Sequence, residues 1–187
     1  MALIEASART STTYLTIAEG FLCQRSKEPR EGYVTRQTST GKTVHERRFE
    51  AIEGKVNDVS SKQTEWGRKW TIDLQDGAEC YLLTMDYDSA YAKYIINALL
   101  SEAFDRSQPV MIKPYYFTDK NTGKQKKGAT VSQNGQKLEW RYGRDDMPQM
   151  VQVVVKGEKV WDDTEQLAFL QDKVDAAFGI TTSTNPF

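Results

Sequence analysis

The feature that most narrows the fold is a change of hydrophobic period midway along the chain. Ile52, Gly54 and Val56 alternate with polar residues, and Trp70, Ile72 and Leu74 alternate with Lys69, Thr71 and Asp73. A period of two sets one face of a strand on a core and the other in water. Asp76-Gly77 supplies a tight turn, because Gly accepts the positive φ that short hairpins need, and Cys80–Met85 reads as a third strand. Tyr91, Tyr94, Ile95, Ala98 and Leu99 then recur at helical spacing, with Asp88 or Ser89 able to cap the start. Pro109 marks the exit and Val110 and Ile112 open a fourth strand. Ala129–Gln133 and Gln136–Tyr142 follow as a hairpin about Asn134-Gly135. Three strands, a helix and further strands predict a mainly β chain with some helix.

The flanks are plainer. Met1–Thr13 is small and polar and reads as a frayed start, Tyr14–Cys23 as one strand. Tyr33–Gln37 and Thr43–Phe49 form a hairpin around Thr38-Ser39-Thr40-Gly41, and Lys62–Glu65 reads as a polar loop. Gln149–Val155 is another strand with Trp161 close behind. Glu165–Phe178 is an amphipathic helix built on Leu167, Leu170, Val174, Ala177 and Phe178, stopped by Gly179.

At 187 residues the chain holds one ordinary core plus extensions. No apolar run reaches the ~20 residues of a membrane helix, and Met1-Ala2-Leu3-Ile4-Glu5 lacks the basic start and apolar core of a secretion signal. Two cysteines, Cys23 and Cys80, make no disulfide framework and suit a reducing cytoplasm. The net charge of −1 hides a strong asymmetry. Arg25–Arg48 carries +4, Asp105–Arg144 carries +6, and Glu158–Phe187 carries −4. Two basic blocks and an acidic end point to an anionic partner, against the plainer reading of solvated surface.

The basic blocks hold the candidate site. Tyr115, Tyr116 and Phe117 lead into Thr118–Gly128, a loop with Lys120, Lys124, Lys126 and Lys127, and a strand with Trp140 and Arg141 follows. Bases stack on rings while lysines neutralise phosphates, so rings beside mobile charge suit a groove for single-stranded nucleic acid. Val110 and Ile112 point one way along the fourth strand, and Met111, Lys113, Tyr115 and Phe117 the other. If the first face is core, the second offers two rings and a lysine, unless those rings cover the N-terminal hairpin. Trp66 lies in a loop beside Arg68 and Lys69, a place for an exposed ring, while the alternation makes Trp70 core. Arg47 and Arg48 of the N-terminal hairpin complete the expected phosphate contacts.

Catalytic patterns are missing. Gly41-Lys42-Thr43 matches the end of a phosphate-binding P-loop, but Arg36 stands where that motif needs Gly, and Val44–Phe49 reads as strand rather than helix. One histidine, His45, and two isolated cysteines supply neither a zinc set nor a nucleophile pair. Asp145-Asp146 and Asp162-Asp163 read as solvated or helix-start charge. No cofactor is expected.

The element order over Glu50–Tyr142 resembles an OB-fold, a five-stranded Greek-key barrel with its helix between strands three and four. That resemblance makes the lysine loop the nucleic-acid-binding loop between strands four and five. The closing Pro186-Phe187 resembles the tail tip of bacterial single-stranded DNA-binding proteins, which docks replication and repair partners, although Ile180–Asn185 contains no acidic residue. The added hairpin and C-terminal helix look more like the phage type of that family. The organisation it implies is an N-terminal strand and basic hairpin packed on the barrel (1–49), an OB core (50–142), a further strand and helix (143–178) and a flexible tail (179–187). The expected function is sequence-tolerant binding of single-stranded DNA, with RNA as second candidate, in replication, recombination or repair. The expected setting is the cytoplasm of a bacterial or phage-infected cell. Replication proteins at the tail and further copies of the chain (a homo-oligomer) are the expected protein partners. The alternative is a structural or assembly protein that uses barrel and hairpin as a protein interface.

Overall fold

The computed structural model describes residues 11–38, 40–155 and 157–179. Four strands come first: β1 (Thr12–Ala18), β2 (Phe21–Ser26), β3 (Val34–Gln37) and β4 (Thr43–Phe49). A meander follows of β5 (Ile52–Thr64), β6 (Gly67–Asp76) and β7 (Glu79–Asp86), then α1 (Ala90–Leu99). After it come β8 (Val110–Thr118), β9 (Gln125–Gln133) and a two-residue β10 (Gln136–Lys137). A separate hairpin, β11 (Val151–Val155) and β12 (Glu158–Asp162), precedes α2 (Thr164–Phe178). The mainly β reading holds, with one large sheet and a C-terminal helix.

Ten strands share that sheet in the order β10-β9-β8-β5-β6-β7-β1-β2-β4-β3. It is open. The second neighbour of β7 is β1, in parallel, and among the described residues no ladder joins β7 to β9 to close a five-stranded barrel. β5 serves two neighbours by bending: Ile52–Gly54 pair with β8, and Lys55 onward with β6. A bulge between Val56 and Asp58 adds one residue, so Val56 and Val59 both face the core although three positions apart. Gly54 has no Cβ because one would fall 3.1 Å from the Gln75 carbonyl oxygen.

The core lies under α1, which buries Ala92, Ile95, Ile96, Ala98 and Leu99 against Ile72, Leu74, Leu83, Val110, Ile112 and Val131. Ser89 caps the helix by accepting from the Ala92 N–H at 3.1 Å. Trp70 is core as expected, stacked on Tyr87 at 5.2 Å with its Nε1 donating to the Tyr87 carbonyl. Leu170 and Val174 of α2 join the same core, and the Tyr87 hydroxyl donates to the Leu167 carbonyl at 3.1 Å.

Five local readings need correction. Tyr14–Cys23 is two strands, because Glu19 and Gly20 both take positive φ and turn the chain back, and Thr12 and Thr13 already belong to β1 rather than to a frayed start. Lys62–Thr64 is not loop: β5 runs on to pair with Gly67–Lys69, a polar ladder beyond the core that hydrophobic alternation does not reveal. Lys126 and Lys127 lie in β9, opposite Phe117 and Tyr116, so the loop proper is shorter than Thr118–Gly128. The strand expected at Gln136–Tyr142 ends at Lys137. Beyond it Asn97 of α1 captures the backbone, its Oδ1 accepting from the Tyr142 N–H at 2.9 Å and its Nδ2 donating to the Tyr142 carbonyl at 2.8 Å. Residues 1–10 and the tail, including Pro186 and Phe187, lie outside the described residues.

Candidate nucleic-acid interface

Strand phase decides which rings of β8 are available. Val110, Ile112 and Pro114 are buried, Met111 and Lys113 exposed, Tyr115 half-buried and Phe117 49% exposed. Tyr115 stands opposite Gly128 of β9, and its ring lies across that glycine, where a Cβ would sit 2.6 Å from the phenol oxygen. Phe117 packs on one side of Tyr115, with ring centroids 5.8 Å apart. Tyr94 of α1 meets Tyr115 edge-on at 6.2 Å and Trp140 edge-on at 4.6 Å. Phe117, Tyr115, Tyr94 and Trp140 thus form one row of rings from the sheet to the segment after β10. Its ends are open, Trp140 being 44% exposed. Burial, joined by a hydrogen bond with Tyr94, pushes the Tyr115 phenol up to about 12, so it stays neutral at physiological pH. The sequence reading assigned Tyr94 to the core stripe of α1 and missed its place in this row. Its three-residue spacing from Tyr91, another tyrosine whose polar tip wants a partner, was the available signal.

Beside the row a cleft of about 510 Å³ opens among α1, α2 and the segment after β10, lined in part by Trp140, Tyr94, Lys93, Lys127, Asp86 and Asp88. A second cleft, about 360 Å³, shares Asp86, Ser89 and Lys127 with it and adds Lys69 and Arg25. Lys127 therefore links the lysine segment to the ring row, and Lys69 comes in from β6. Lys93 and Arg25 were not singled out in the sequence. Burial pushes the Lys93 ammonium below its ordinary value, opposed by the charge of Asp88, and Lys93 also contacts Asp163.

The remaining candidates divide by their partners. Lys69 pairs with Asp86, Lys126 with Asp119, Lys113 with Glu50 at 3.6 Å and Arg141 with Glu102 at 2.8 Å. All are at least partly solvated pairs of small worth that a phosphate can exchange into. Asp119 also organises the β8–β9 loop, accepting from the N–H groups of Asn121 and Thr122, and these contacts with Lys126 hold its carboxyl below the ordinary range. Among the ion pairs of the described residues none involves Lys120, Lys124, Lys127, Arg47 or Arg68. Arg68 lies over the Tyr87 ring at 4.8 Å and Arg47 over Phe49 at 5.1 Å. Trp66, 80% exposed at the tip of the β5–β6 hairpin, stands apart from the ring row.

Arg48 is engaged within the chain. Glu46, fully buried, receives Arg36 Nε at 2.7 Å and Arg48 Nε at 2.8 Å, with Arg25 at 3.8 Å. Arg48 also reaches Glu19 at 2.8 Å. Burial acts to raise the Glu46 carboxyl, but the hydrogen bonds and charge of Arg36 and Arg48 outweigh it and hold the group below its ordinary value. This cluster binds β2, β3 and β4 together. It also fixes the Glu19-Gly20 turn, whose Gly20 N–H donates to the Tyr91 hydroxyl at 3.1 Å and whose backbone abuts Tyr116.

Among the described residues no group of three or more His, Cys, Asp or Glu is placed to hold a metal, and no helix is long and apolar enough to cross a membrane. The arrangement offers stacking faces and cations. Compared with known proteins, the chain matches no family model, no curated protein and no solved structure.

Proposed function

We propose that this chain is a non-enzymatic, sequence-tolerant single-stranded DNA-binding protein of replication, recombination or repair. The observation that carries the reading is the open-ended row Phe117–Tyr115–Tyr94–Trp140 beside a cleft with Lys127. Rings present π faces that any base can use, and cations beside them meet the backbone. The strand order β8-β5-β6-β7, with α1 leading into β8, supports an OB-like Greek key in which β1 takes the place beside β7. Trp66 and Arg68 at the β5–β6 tip and Lys120 and Lys124 at the β8–β9 loop extend the surface. Pro186-Phe187 would recruit replication proteins. The alternative, an assembly protein, draws on the exposed apolar hairpin β11–β12.

The test is a fluorescence titration with dT oligomers at two salt concentrations, with rU oligomers as the RNA arm. Among the described residues Lys120, Lys124 and Lys127 make no ion pair to give up, so they should contribute about −2 to the log–log salt slope at roughly −0.7 per phosphate. The triple alanine variant should flatten the slope by that amount. No binding by the wild-type chain at low salt defeats the proposal.

A further inference from the structure

The hairpin β11–β12 stands outside the ten-stranded sheet, and a lone two-stranded ribbon is marginal in water. Its faces are nonetheless apolar on both sides. The pairs Val153↔Val160 and Val151↔Asp162 share one face, Gln152↔Trp161 and Val154↔Lys159 the other. Val154 is 68% and Trp161 62% exposed, with Val151, Val155 and Val160 also in solvent. The two outer edges differ. β12 carries Glu158, Lys159 and Asp162, the charges that discourage edge pairing, whereas β11 reads Val-Gln-Val-Val-Val with no charge and no proline.

That asymmetry selects an occupant. A two-fold pairing of β12 with itself about Val160 would set Glu158 against Asp162 twice, which like charge opposes. Pairing β11 with β12 of another copy is heterologous and leaves edges that continue into a filament. Pairing β11 with itself about Val153 closes, sets Val151 against Val155 and Gln152 against Val154, and brings no charges together. We propose that two copies of this chain associate through antiparallel β11 edges, forming a four-stranded sheet centred on Val153. The contact is isologous. The five residues of β11 on each side fall well short of the roughly 20–30 a side of a standard interface, so it is a reversible, concentration-dependent dimer.

Sedimentation velocity of the full chain should show the average mass rise from one copy towards two between ~1 and ~200 µM. Val153→Lys and Val153→Glu each place like charges at the two-fold axis and should stay monomeric, while an equimolar mixture of the two should recover the dimer. The wild-type chain gives the same information without substitution, since the amides of Val151–Val155 should exchange more slowly at the higher concentration. A chain monomeric throughout, with exchange in β11 independent of concentration, leaves the edge to some other protein and overturns the dimer. A dimer that survives in both charged variants overturns it equally, because the contact then lies elsewhere.

Discussion

Replacing Gly128 by Ala puts a methyl group under the Tyr115 ring. Its carbon would lie 2.6 Å from Tyr115 Oη, 2.8 Å from Cζ and 3.0 Å from Tyr94 Cδ1, where ordinary contacts lie near ~3.5–4.0 Å. About 1 Å of relief is needed, and β9 cannot supply it while Tyr115 and Gly128 remain cross-strand partners. Tyr115 must swing outward, losing its contacts with Tyr94 and Phe117. Aromatic pairs are worth ~0.5–1.5 kcal/mol each beyond area burial, so the loss is about 1–3 kcal/mol. Alanine returns about 0.5–1 kcal/mol through its better strand behaviour than glycine. The net cost of about 0–2.5 kcal/mol should lower Tm by up to roughly 10 °C for a chain of this size. It should also weaken dT-oligomer binding, because the row of rings is broken at its middle. The decisive measurement is a double-mutant cycle by thermal unfolding. In a Tyr115→Ala background the two shortest contacts are gone and the 3.0 Å approach to Tyr94 Cδ1 is left, so Gly128→Ala should cost less there, a coupling of about 1 kcal/mol or more. If Gly128→Ala costs the same in both backgrounds, or stabilises the wild-type chain, the ring does not lie where this account needs it.

The two tryptophans of the β5–β6 hairpin should separate binding from stability. Trp66→Ala should leave Tm within a degree or two while weakening oligomer binding by ~1–3 kcal/mol, and Trp70→Ala should cost ~3–5 kcal/mol of stability; comparing unfolding and titration for both variants checks the assignment. The Glu46 carboxyl is depressed in the folded chain, so its stabilisation is complete above the unfolded value of about 4.3 and is lost as pH falls through the lower folded one. Glu46→Gln should destabilise the chain by ~1–3 kcal/mol at neutral pH, from the hydrogen bonds and charge it takes from Arg36 and Arg48, and acid unfolding of the variant should depend less steeply on pH below that value.

What the sequence disclosed was whatever rests on neighbours along the chain. The alternation of Trp70, Ile72 and Leu74, the Asn134-Gly135 turn, the Ser89 cap and the phase of β8 follow from period and turn chemistry, and each stands in the structure. The departures come from distant partners. Trp140 leaves the ladder because Asn97, forty-three positions earlier on a helix, offers better-placed hydrogen bonds than a strand would. Arg48 looked like a free cation because nothing local shows that Arg36, Arg25 and Arg48 converge on one buried Glu46. Tyr94 looked like core because helical period alone does not say that the next layer is a row of rings. The Gly20 turn had a plainer local clue, a glycine in the middle of an apparent strand, which suits a reversal as well as a bulge.

The parallel ladder of β1 on β7 sets a timetable for synthesis. Thr12–Thr16 take Cys80–Thr84 as partners, so an emerging chain must wait until the ribosome has passed β7 before its first strand can dock on that side. At ~5–20 residues per second that interval is several seconds. During it the β1–β2 hairpin can hold its own antiparallel pairing and gather β4 through the β2–β4 ladder and the Arg48–Glu19 pair, as a preassembled flap. Gly20 finds its seat against Tyr116 and Tyr91 only once β8 has been made. The flap therefore closes late, and until it closes the β7 edge is open to the wrong strand of a neighbouring nascent chain.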